Sequence, residues 1–100
     1  MILNCKTKPI NCKAKIFKKE NYDEIKEFIG SQNIWEDLAH KYIVKVSNKE
    51  HVEVKDGDYI VIDKNENISV HKPQQFYNLY EVYRVENKNE SLINSFINNL

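Results

Sequence analysis

The chain has 100 residues, 41% of them hydrophobic and 30% charged, a length and balance that give one domain with a single modest core. Its 15 basic and 15 acidic side chains cancel, which argues against general nucleic-acid binding, where a basic excess is needed, and against DNA mimicry, where many acids are. No apolar run approaches the roughly 20 residues of a bilayer span, and the N-terminal stretch lacks the apolar region of a signal peptide, so no membrane partner and a cytoplasmic location are expected.

In that compartment Cys5 and Cys12 are expected to be reduced thiols. Their spacing is not Cys-x-x-Cys and no histidine lies nearby in sequence, so neither a metal nor a cofactor is expected there. After Pro9 the pattern alternates: Cys12, Ala14 and Ile16 fall on one face of a half-buried strand and Lys13, Lys15 and Phe17 on the other. The two lysines read as a solvated face or as guards on a strand edge.

"NYDEIKEFIG" predicts a short helix. Asn21 is placed as its N-cap with Glu24 in capping-box position, Ile25, Phe28 and Ile29 form one apolar stripe, and Gly30 stands where a positive-φ C-cap belongs. "NIWEDLAHKY" repeats the cap pattern at Asn33 and Glu36, and Trp35 and Leu38 lie three apart, which predicts a second helical turn or two.

From Tyr42 the period becomes two. "YIVKVSN", "HVEVKDG", "DYIVID" and "ENISVHK" predict a three- or four-stranded antiparallel meander, with Tyr59 to Ile62 apolar on both faces and therefore covered on both. Asp63, Asn65 and Asn67 imitate the start of a calcium loop, but Ile68 stands where glycine is required, Gln74 where a bidentate glutamate is required, and the flanks are strands. "DKNEN" and "KDGD" are therefore turns, with Asp58 bonding the backbone of its own bend. Pro73 then opens a helix whose stripe is Phe76, Leu79, Tyr80 and Tyr83, and residues 85–100 carry Leu92, Ile93, Phe96 and Ile97 on one face of an amphipathic helix, which must dock on its own domain or on a second copy in a homodimer or higher assembly.

The expected fold is α+β: a small antiparallel sheet, meander plus N-terminal strand, with two to four short helices packed on it. No serine stands in a nucleophile elbow, the histidines are scattered, and Gly30 and Gly57 are the only glycines, so neither nucleophilic catalysis nor a phosphate loop is expected and the chain reads as a non-enzyme.

Taken in order, Lys8-Pro9, Ala14, Phe28-x-Gly30, Gly57-Asp58-Tyr59-Ile60 and Pro73-x-x-Phe76-x-x-x-Tyr80 resemble the landmarks of a widespread group of small phage and prophage accessory proteins, over roughly residues 8–83. That resemblance implies a counter-defence protein working by binding. Its first expected form sequesters a nucleotide-derived immune signal, with Trp35, Tyr59 and Tyr77 stacking on a base and His71, Lys72 and Arg84 meeting phosphate. Its second blocks a host defence protein through a surface patch anchored by aromatics and Arg84. A structural or regulatory phage component without ligand is the third expectation.

Overall fold

A computed structural model describes residues 2–7 and 10–86, without the side chains of Lys6, Thr7, Ile10, Tyr83, Arg84 and Glu86. It contains eight strands: β1 (Ile2–Thr7), β2 (Ile10–Ile16), β3 (Ile34–Glu36), β4 (Tyr42–Ser47), β5 (Glu50–Val54), β6 (Tyr59–Asp63), β7 (Ile68–His71) and β8 (Glu81–Glu86). Two α-helices, α1 (Tyr22–Ile29) and α2 (Pro73–Leu79), and two single 3-10 turns, Lys19–Asn21 and Ser31–Asn33, complete the described elements. The architecture is α+β. All strand pairs are antiparallel and form two sheets, one of five strands in the order β7-β6-β2-β1-β8 and one of three in the order β3-β4-β5.

The five-stranded sheet is covered on both faces. One face carries Leu3, Cys5, Cys12, Ala14, Tyr59 and Val61 under Phe76 of α2. The other carries Ile60 and packs with Phe17, with Ile25 and Ile29 of α1, and with Ile34, Val44 and Val54 of the small sheet. Strand β6 therefore sends alternate apolar residues into two cores, which is why its sequence shows no polar face.

Several expectations change. Residues 34–36 form β3, not a helical turn. Asp37 explains the difference: its Oδ1 accepts the backbone N–H groups of Ala39 and Lys41 at 2.9 Å each, and His40 takes φ +62°, closing a β3–β4 turn that leaves Leu38 fully exposed. The expected single meander is split. Strands β4 and β5 belong to the small sheet and β6 and β7 to the large one, and the chain changes sheet at Gly57, whose φ of +94° makes the bend. The Gly57 N–H donates to the Phe17 carbonyl and the Phe17 N–H to the Asp58 carbonyl, both at 2.8 Å, which clamps that bend to the end of β2.

Lys15 is not on a solvated face. It is 8% exposed, beneath α1, and its Nζ lies 3.0 Å from Glu24. Helix α2 ends at Leu79, which is exposed, and the chain continues as β8; of the predicted stripe Phe76 is fully buried and Tyr80 half-buried, while the Tyr83 side chain lies outside the described set. Asn21 stands at the N-cap position of α1 without capping it through its side chain. Its Oδ1 accepts the Lys18 N–H and its Nδ2 donates to the Ile16 carbonyl, bracing the turn that leads from β2 into the helix. The interface residues Leu92, Ile93, Phe96 and Ile97 lie outside the described residues, whereas Val85 and Glu86 close β8.

Candidate functional site: a cleft along the edge of β7

The β6–β7 hairpin is fastened at both ends. At its turn, Asp63 Oδ1 accepts the N–H groups of Asn65 and Asn67 at 2.8 and 2.9 Å, and Oδ2 accepts the Asn67 side-chain amide at 3.1 Å. Those bonds, led by the Asn67 backbone, hold the Asp63 carboxyl below its ordinary pKa. The stretch that imitates a calcium loop is a side-chain-closed turn. At the open end, Asp58 is 3% exposed; its Oδ2 accepts the Lys55 N–H at 2.9 Å, and Lys72 Nζ donates to both carboxylate oxygens at 2.9 and 3.2 Å.

Four of the six residues singled out from the sequence gather where β6, β7 and α2 meet. Tyr59 and His71 are cross-strand partners, Lys72 follows directly, and the Tyr59 and Tyr77 hydroxyls are 2.9 Å apart. Tyr59 is 5% exposed and stacks on Phe76 at 4.2 Å and 16°, so this ring is a core element with no room for a base. Burial, then its hydrogen bond with Tyr77, pushes the Tyr59 hydroxyl up to about 12. Tyr77 is exposed on α2. His71 Nε2 lies 2.8 Å from Ser69 Oγ and 3.4 Å from the Tyr80 hydroxyl, and burial lowers its pKa, which keeps the imidazole neutral at pH 7. Trp35 stands apart on the small sheet, half-buried and edge-on to His51 with ring centroids 5.0 Å apart. The backbone of Arg84 lies in β8 opposite Asn4, and its side chain is outside the described set.

Near this junction a cleft of about 360 Å³ opens between the β4–β5 hairpin and β7. Its lining includes all five consecutive residues Ile68, Ser69, Val70, His71 and Lys72. Successive side chains of a strand point to opposite faces, so a cleft touching five in a row runs along the strand's edge rather than over one face. Strand β7 is the terminal strand of its sheet, and among the described residues no backbone bond beyond its ladder with β6 involves residues 68–71. The opposite wall presents Val46 and Val52, both half-buried, and the exposed carboxylates Glu50 and Glu53.

The charges of this cleft suit a cation better than a phosphate. Its one ammonium, Lys72, is already neutralised by Asp58, His71 is neutral, and Glu50 and Glu53 add negative charge. The sequence does not reveal this wall, because Glu50 and Glu53 are ordinary polar positions of an alternating strand until the second sheet brings β5 beside β7. Among the described residues no helix is long and apolar enough to cross a membrane. Compared with protein-family models, curated proteins and solved structures, the chain shows no match.

Proposed function

We propose that this chain is a counter-defence protein of phage or prophage type that acts by binding, without catalysis, in the cytoplasm of the infected bacterium. Its target is a host defence protein, and an extended, lysine- or arginine-bearing segment of that protein pairs with the outer edge of β7. The observation that carries this reading is the cleft of about 360 Å³ running along all five residues from Ile68 to Lys72. Strand addition draws affinity from main-chain hydrogen bonds to an open sheet edge and selectivity from the side chains beside it. Here Val46 and Val52 offer apolar contact, and Glu50 and Glu53 offer charge complementary to a basic segment.

Nucleotide sequestration is the second reading, favoured by the volume of the cleft, which falls within the roughly 300–1,000 Å³ of small-molecule sites. Both readings are tested by expressing the chain in bacteria that each carry one defence system and recovering it from the strain it renders phage-sensitive. The proposal predicts a co-purifying defence protein whose binding slows amide exchange at residues 68–72 and is lost in the double variant E50K/E53K. A discrete nucleotide mass on the recovered chain, with no protein partner, would transfer the assignment to sequestration. Slowed exchange confined to other strands would remove β7 from the account.

A further inference from the structure

The β1–β2 hairpin places Cys5 directly opposite Cys12 in register. Both thiols are free and buried, at 0% and 7% exposure, and their sulfurs are 3.2 Å apart. Cys12 donates to the Cys5 carbonyl at 3.3 Å, which leaves Cys5 as the donor between the two sulfurs. Directly opposed residues of an antiparallel pair have Cα atoms about 4.5–5.5 Å apart, within the range a disulfide spans. Closing the sulfurs to the ~2.0 Å of a covalent bond therefore needs side-chain rotation of about 1 Å and no change of register.

We infer that Cys5 and Cys12 are a redox modification site: a peroxide oxidises the pair to an intramolecular disulfide across β1 and β2. Access defines the order of events. Cys12 lines a cavity of about 110 Å³ beside Asp63 and Tyr80, and a second of about 280 Å³ beside Asn4 and Lys13. A water molecule's share of liquid volume is about 30 Å³, so a peroxide fits the smaller of these. Cys5 is fully buried, at 0% exposure, and acts second. The Cys12 sulfur attacks one oxygen of hydrogen peroxide, the O–O bond breaks, the sulfur becomes a sulfenic acid, and water leaves. The Cys5 sulfur then attacks the Cys12 sulfur, the S–O bond breaks, and the hydroxyl departs as water with the Cys5 proton. Two thiols and one peroxide become one disulfide and two waters. Burial raises the pKa of both thiols, which keeps the resting pair protonated and makes the first step slow.

The test treats the reduced full-length chain with hydrogen peroxide, denatures it, alkylates it with N-ethylmaleimide and measures its mass. The expected product has lost two hydrogens, takes no alkyl group, and yields tryptic peptides 1–6 and 7–13 joined through sulfur, while dithiothreitol restores both alkylation sites. Cys5→Ala is expected to stop at the sulfenic acid of Cys12, captured by dimedone. Two fully alkylatable thiols in the treated wild type, a disulfide between two chains, or oxidation only to sulfinic acid would overturn the inference. The wild-type result decides by itself if the variant does not fold.

Discussion

Asp63 closes β6 and His71 closes β7, at opposite ends of one hairpin, and their surroundings move them in ways that make stability depend on pH with the same sign. Backbone N–H donors lower the Asp63 pKa, so its contribution is present above the ordinary aspartate value of about 3.9 and is lost as pH falls through the folded value. Burial lowers the His71 pKa, so the unfolded chain takes up its proton first, and stability falls as pH drops below the ordinary histidine value of about 6.5. His71→Asn should flatten the decline in urea midpoint between pH 7.5 and about 5.5; equal slopes in variant and wild type would contradict the assignment. Asp63→Ala removes the two backbone bonds and the amide bond of the turn and should cost about 1–2 kcal/mol in chemical denaturation. The turns of Asp58 and Asp63 are legible in the sequence, because such a turn needs only residues a few positions apart, whereas the Asp37 turn is masked by a helical Trp–Leu spacing. The burial of Lys15 and the meeting of Cys5 with Cys12 are not, since each depends on which strand or helix arrives opposite.

Helix α1 is the element best foreseen, because its apolar stripe has the right period and Gly30 ends it at φ +95°. Strand β3 is the element least foreseen. A Trp–Leu spacing of three suits a helix, yet Asp37 supplies the backbone with turn bonds that suit a hairpin, and pairing of Ile34 with Val44 settles the competition. Helix α2 has seven residues and buries a single one, Phe76, whose ring lies between Tyr59 and Tyr80. Phe76→Ala should therefore destabilise the protein by about 3–5 kcal/mol and expose the Tyr59 ring, measured by urea unfolding and tyrosine fluorescence. A loss under 1 kcal/mol would mean that α2 is held by something other than that ring. Beneath α1, the Lys15–Glu24 pair joins a buried ammonium to a half-exposed carboxylate. Lys15→Met keeps the volume and removes the buried charge, so it should be neutral or stabilising, whereas Glu24→Ala should cost about 1 kcal/mol or more.

At the scale of the whole molecule, the sequence carries the antiparallel α+β class through its period-two runs but not the division into two sheets. That division follows from one bend at Gly57, where a Cβ would meet nothing within 4 Å and only the positive φ restricts the residue. It creates the cleft, because turning β6 away from β5 leaves the β4–β5 hairpin facing the edge of β7 instead of extending one sheet. Of the residues expected to bind, Tyr59 is in the core, His71 and Lys72 line the cleft, Tyr77 is exposed beside it, and Trp35 is on the other sheet. Glu50 and Glu53 are exposed on β5, so reversing them should leave the folding free energy within about 0.5 kcal/mol while weakening attachment of a basic partner. The decisive measurement is amide hydrogen exchange of the chain with and without the purified defence protein that it disarms. Slowed exchange at residues 68–72 is expected in the wild-type complex, and no slowing when E50K/E53K is mixed with the same protein. Unchanged exchange along β7 in a complex that demonstrably forms would contradict it.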